Sequence, residues 1–415
     1  MNLLSTYDCG NDMPVETPFG ARLKALRQKR GLSQAALAGN DISTGYLSRL
    51  ESGARQPTER VITYLAGRLG VDRSALFSPY TSSSLSEAVS VAVSTDSDDA
   101  VEAVVTALAS AQGDDPLVRW QALWLVAQFR RRRGEHAEER TSLEEAIRIA
   151  DGLALTALQC RSRTELARCL RATGDVTEAL ELAVAAYELA RESGVSVSDT
   201  SKALLTLVSA EAEAGRLPDA RAHVDELVAL VANHSDALRT EALWAAATVR
   251  SRQGDDDGAL AFIQQAMDSL DSRVDLVLWA RLRLAAASLY LQARPTLTKP
   301  AHACLAEAER ALSLVGTPVQ QQELLTLQAR LAFADGHVAG ARDVLDRLDF
   351  ERLALSYRDR VQLQLLESLL LIEEGHREQG LSRLKRLGEE AHRDSNMNLA
   401  AQVWRVLAEA LEQSP

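Results

Sequence analysis

The stretch from Ser43 to Glu51, STGYLSRLE, offers hydroxyls, a glycine and a guanidinium on a serine-capped segment whose apolar residues fall at Leu47 and Leu50. Wound as a helix, it leaves Thr44, Gly45, Ser48 and Arg49 on the outer face. That set suits a nucleic-acid groove, because an α-helix fits the major groove of B-DNA, hydroxyls bond phosphates and an arginine fork engages two acceptors on guanine. The alternatives for Arg49 are a phosphate contact or a pair with Glu51, and Tyr46 suits a core or phosphate contact better than base reading. Other chemistries find no matching spacing. There is no GxxxxGK or GxGxxG phosphate loop, no HExxH metal pattern and no recognisable nucleophile setting. Cys9, Cys160, Cys169 and Cys304 show no ligand spacing, and the seven scattered histidines fit surface or helix-end roles. Asp255, Asp256 and Asp257 lack the rest of a calcium loop and fit a helix start. The sequence therefore points away from an enzyme, a cofactor or a bound metal.

Charge sharpens the distinction. The formal net charge of -12 would argue against a nucleic-acid partner, yet residues 18–78 hold ten basic side chains against four acidic ones. The excess of acid lies elsewhere in the 415 residues. With 46% apolar and 4% aromatic residues, ten prolines and 22 glycines, the composition is that of a mostly helical chain long enough for two or three domains. No apolar run approaches the roughly 18 residues of a membrane span, and no secretory core is present. A cytoplasmic protein without a membrane partner is expected.

The elements that would position the polar stretch follow from capping and periodicity. Residues 1–17 read as a flexible tail. Leu23 and Leu26 mark a first helix ending near Gly31, Ser33 caps a short second helix, and Ser43 caps a third that ends at Gly53. A fourth helix carries Val61, Ile62, Leu65 and Leu69 inward, and a last turn holds Leu76 and Phe77. Residues 79–96, serine-rich and without Lys or Arg, read as a linker, and 97–113 as a connecting helix.

The segment from GLSQ through YLSRLE to LAGRLGV resembles the Xre-type, lambda-repressor-like helix-turn-helix domain over residues 18–78. The resemblance implies that Gln34 and Arg55 engage the DNA backbone beside Ser43, Thr44, Gly45, Tyr46, Ser48 and Arg49. It also implies that Arg27 and Glu51 tie the first helix to the third. Asn40 or Asp41 stands where the family usually has glycine, and both residue types tolerate a left-handed turn.

From residue 114 to 415 the chain repeats. Gly134, Gly174, Gly215, Gly254, Arg294, Gly336 and Gly375 are spaced by 40, 41, 39, 40, 42 and 39 residues. Seven residues before each stands a small or slim side chain: Ala127, Ala167, Val208, Ala247, Ala287, Ala329 or Ser368. Five residues after four of the glycines stand Ala179, Ala220, Ala259 and Ala341. This is the pattern of about seven antiparallel helix pairs touching through small residues, with a capping helix at the end. It resembles the tetratricopeptide repeat, HEAT-like repeats being the alternative, and the fold expected for the whole chain is all-α: a helix-turn-helix head and an α-solenoid.

The repeat resemblance implies a groove lined by first helices, here Gln121, Trp124, Gln128, Arg131, Arg132, Arg161, Arg168, Arg171, Lys202, Trp244, Arg252, Arg281 and Arg330. The same arginines could instead pair with the acids that crowd the second helices. A head and array joined in this way resemble the peptide-pheromone receptors of Gram-positive bacteria. That implies a double-stranded DNA partner, a homodimer, and a peptide or protein ligand in the groove. Those receptors commonly use groove asparagines, whereas this array has Asn233, Asn396 and Asn398, outside the selected positions. The alternative function is an interaction scaffold whose head only locates it on DNA.

Overall fold

The computed structural model describes residues 18–39, 41–55, 57–71, 73–76, 85–95, 97–110, 115–234 and 236–412. The expected tail, Asn40, Phe77 and residues 79–84 of the expected linker lie outside these. The chain divides into two compact units that meet between Ser83 and Ser84.

The first unit contains α1 (Pro18–Lys29), α2 (Gln34–Ala38), α3 (Thr44–Glu51), α4 (Glu59–Leu69) and a 3-10 turn at Arg73–Leu76. Leu23, Leu37, Leu47, Leu50, Leu65, Leu69 and Leu76 are fully buried in one core. Helix α1 lies so close to α3 that a Cβ at Gly20 would run into the carbonyl oxygen of Leu50. The turn after α2 differs from expectation. Gly39 itself takes the positive φ of 59°, and a Cβ there would meet the Tyr64 hydroxyl, which donates to the Ala38 carbonyl at 2.9 Å. The glycine that the turn requires is thus Gly39, and Asp41 is not left-handed.

The second unit begins earlier than the sequence predicts. Within the expected linker, α5 (Leu85–Thr95) forms a hairpin with α6 (Asp98–Ser110), and both pack on α7 (Pro116–Arg133) through Leu85, Val89, Val104 and Phe129. Serines concealed this helix: Ser86, Ser90 and Ser94 bond carbonyls, or lie exposed, on the outer side of an apolar stripe. Hairpins then follow as α7 with α8 (His136–Leu153), α9 (Thr156–Thr173) with α10 (Val176–Ser193), and α11 (Val197–Glu213) with α12 (Leu217–Val231). The series continues with α13 (Asp236–Arg252) and α14 (Asp256–Ser269), then α15 (Leu276–Gln292) and α16 (Thr298–Val315). It ends with α17 (Pro318–Ala334) and α18 (Val338–Leu345), α19 (Tyr357–Glu373) and α20 (Arg377–Arg393), and the single helix α21 (Met397–Glu412).

Each repeat glycine has φ between 74° and 103°, which closes the turn between paired helices. The small residues seven positions earlier are all buried, as are the four alanines five positions later. Asp255 caps α14 by accepting from the Gly258 amide at 3.0 Å, as its run of acids implies. The histidines at the turns sit at helix starts and not at carboxyl ends, and the surface role holds for two of them: His136 opens α8, and the exposed His337 and His376 precede α18 and α20.

The array winds far enough to meet itself. Helix α17 touches α7, α19 touches α9, and α21 touches α11. Gly174 lies against the Tyr357 ring and Gly215 against Met397, so two successive coils stack edge to edge.

Substituting Gly20→Ala forces α1 and α3 apart. It should cost the head about 1–3 kcal/mol, read as faster amide hydrogen exchange at Leu47 and Leu50, with the repeat unit unchanged.

Candidate nucleic-acid interface and ligand groove

Helix α3 is held by a buried ion pair. Glu51 is 3% exposed and accepts from Arg27 twice, at 2.6 and 3.0 Å, while Arg27 also donates to the Leu32 carbonyl at 2.9 Å. Gln34, expected on the DNA backbone, donates its amide to Glu51 at 2.8 Å. Burial alone would raise the Glu51 carboxyl, but the bonds from Arg27 and Gln34 outweigh it and hold it below the usual carboxylate range. The expected tie between the first and third helices is therefore present, with Gln34 as a third member.

Ser43 caps α3 by accepting from the Tyr46 amide at 3.1 Å. Ser43, Thr44, Gly45, Ser48 and Arg49 are exposed, and nothing lies within 4 Å of a Cβ built on Gly45. Arg49 folds back to the Gly45 carbonyl at 3.2 Å rather than pairing with Glu51, so its guanidinium stays on the open face. Tyr46 packs half-buried against the core, and the exposed Arg55 guanidinium rests 5.2 Å from its ring. The face is polar, with cations at its edge, and its bare start at Gly45 lets a duplex approach the helix backbone.

In the repeat unit, the expected groove residues separate into groups. Trp124 stacks on Trp120 at 5.1 Å and packs beside Ala146 and Ala150 of α8. Gln128 lies half-buried on α7. Arg161 forms a two-pronged pair with Asp199 of α11 at 2.8 and 3.1 Å. Arg131 reaches Glu165 at 3.0 Å, and Arg168 bridges Glu165 and Glu139 at 2.9 and 2.5 Å. Arg131, Arg161 and Arg171 thus pair with acids of the next first helix, while Arg168 reaches Glu139 of a second helix.

Lys202, Trp244 and Arg281 do converge. Lys202 and Arg281 line an open cleft of about 480 Å³ across the starts of α11, α13 and α15, together with Glu241, Asp275 and Leu278. The Arg281 guanidinium lies 5.3 Å from the Trp244 ring. Burial raises the Glu241 carboxyl against the pull of Arg281 and Lys202. Arg281 is also within electrostatic reach of Arg131, whose charged form burial and Arg168 disfavour. Arg131, Arg168, Lys202 and Arg281 therefore share one interior surface. The sequence reading missed its acids Glu241 and Glu323, although both stand thirteen residues before a repeat glycine, the register that selects Arg161 and Lys202.

One cluster escaped the motif search. His136, Glu139 and Cys169 place ligand-capable atoms within 4.8 Å of one another. Glu139 is fully buried at a position where four other repeats carry alanine, and His136 and Arg168 share its carboxylate. Burial pushes the Cys169 thiol up to about 12, and it donates to the His136 carbonyl at 3.5 Å. His136 and Arg168 on the Glu139 carboxylate, and the Cys169 thiol on the His136 carbonyl, link the group by hydrogen bonds.

Among the described residues, no helix is long and apolar enough to cross a membrane.

Because the Glu51 carboxyl is lowered in the folded head, its stabilisation is complete above the ordinary carboxylate range near 4 and fades as pH falls through the lowered value. Hydrogen exchange at α3 should accelerate in that acid window. Glu51→Gln should lose about 3–5 kcal/mol at neutral pH by stranding Arg27, and show a flatter acid response.

Residues 18–76 match the family described as a helix-turn-helix domain. No curated protein matches the sequence. Among solved structures, a Rap protein complexed with competence and sporulation factor aligns with TM-score 0.59 at 8% identity, over 94% of this chain and 99% of that one. The Rap conjugation gene regulator of plasmid pLS20 in complex with the Phr* peptide aligns with TM-score 0.55 at 14% identity, over 95% and 98%. Aspartyl phosphate phosphatase F from Bacillus subtilis aligns with TM-score 0.51 at 10% identity, over 93% and 96%. The chain thus carries a helix-turn-helix domain at residues 18–76, followed by a tetratricopeptide-like α-solenoid with the fold seen in Rap proteins.

Proposed function

We propose that this protein is a cytoplasmic, homodimeric transcription regulator. Its head binds operator DNA sequence-specifically, and its repeat unit binds a ligand, most simply a peptide, that modulates that binding. The observation that carries the DNA half is the exposed face of α3 from Ser43 to Arg49, fixed on its other side by the Arg27–Glu51–Gln34 network. The ligand half rests on the charged interior surface with its cleft at Lys202, Glu241 and Arg281. Peptide or factor complexes among the similar Rap structures support an extended ligand for such a solenoid. The reading assigns the chain no catalytic role. Where a folded protein, not a peptide, occupies the solenoid, the chain is an interaction scaffold with a DNA-locating head.

Genome-wide mapping of bound DNA followed by gel shifts on the recovered sites tests the head. Arg49→Ala should relax base preference at one position, at a cost of about 1–3 kcal/mol. Arg55→Ala should weaken all sequences alike and flatten the salt slope by about 1. Equal loss on random DNA for both variants removes Arg49 from base reading. For the solenoid, Arg281→Ala should abolish the effect of a captured peptide on operator binding while leaving peptide-free binding unchanged.

A further inference from the structure

Where the two coils of the solenoid meet, three arginines crowd one carboxylate. Arg171 ends α9, Glu213 ends α11, Arg252 ends α13, and Arg358 belongs to the first turn of α19. Arg171 takes both oxygens of Glu213, at 2.7 and 3.0 Å. That leaves Arg252 and Arg358 at 3.9 and 3.8 Å from the same oxygen, beyond hydrogen-bond length. Arg252 Nη1 and Arg358 Nε are sealed from solvent with no hydrogen-bond partner, and Arg358 spends another donor on the Asn398 side chain at 3.1 Å. Guanidinium does not give up its proton in proteins, so this shortage cannot be relieved by neutralisation.

The surroundings do not cancel the charge. Arg330 and Asp359 interact with one another in the same region, and Asp359 is felt by Arg358 and Glu213. Burial and Asp359 both raise the nearby Glu323 carboxyl, which disfavours its charged form. Around Arg171, Arg252, Arg330 and Arg358 stand the carboxyls of Glu213, Asp359 and Glu323, and burial raises the last two. The cluster is not closed to solvent, since the Arg171 and Arg358 side chains are 22% and 26% exposed.

We propose that Arg171, Arg252 and Arg358 form an oxyanion site at the coil junction, which takes a carboxylate or phosphate group of the ligand. The oxyanion supplies the acceptors that Arg252 Nη1 and Arg358 Nε lack, and by bridging α13 and α19 it ties the first coil to the second. The site specifies the chemistry of the ligand on the sensor reading, but its test uses no DNA, so failure here leaves that reading to the operator-binding assay.

The test is thermal unfolding of the full chain in chloride, acetate and inorganic phosphate at equal ionic strength. Wild type should show a saturable rise of several degrees in at least one oxyanion over chloride. A rise in acetate but not phosphate assigns the site to carboxylates, and the reverse assigns it to phosphate. Arg252→Met, which keeps the apolar stem, and Arg358→Gln should each remove the rise, while Arg352→Gln on the surface should retain it. A wild type indifferent to both oxyanions, or a rise that survives in Arg252→Met and Arg358→Gln, overturns the proposal.

Discussion

Helix approach at a fixed register is the constraint from which the repeat unit follows. Ala167, Ala247, Ala287 and Ala329 leave no room for a longer side chain, so paired helices sit backbone to backbone and each hairpin presents the same faces to its neighbours. Once that geometry repeats every 39 to 42 residues, curvature accumulates, and the helices that begin each hairpin are drawn toward a common interior. Polar side chains on those helices then become neighbours over long sequence distances. Arg131 interacts electrostatically with Arg281, and Arg358 approaches Glu213, because of the winding and not because of any local motif.

An interior of that kind carries a cost that an apolar core does not. Charges such as Glu165, Glu213 and Arg252 are removed from water, and only partners restore what hydration supplied. Arg161 with Asp199, and Arg171 with Glu213, meet that demand in two-pronged geometry. Arg252 and Arg358 do not. Each keeps a sealed nitrogen without an acceptor, a shortage that charge counting could not show.

The head solves a different problem with a smaller core. It must present a short helix whose outer face carries almost no apolar surface, so the inner face has to hold it alone. Leu47 and Leu50 supply the burial, and Glu51 converts the end of α3 into an anchor for α1 and α2 through Arg27 and Gln34. Assigning Gln34 to the anchor leaves Ser43 to Arg49, with Arg55 beside Tyr46, as the surface offered outward.

Local chemistry was legible from residue order alone: the caps at Ser33 and Ser43, the glycine turns and the slim residues seven positions upstream. These depend on neighbours within a helix or on a pattern repeated often enough to stand above noise. The helix at Leu85–Thr95 was hidden because serines on its outer side mimic a linker, and its apolar stripe gains meaning only against α6 and α7. Gly39 was overlooked because the turn it serves is set by the distance to Tyr64. Which arginines pair, which meet across the interior and which lack acceptors was decided by tertiary structure, since a superhelix brings together residues from different repeats, and no sequence window spans that.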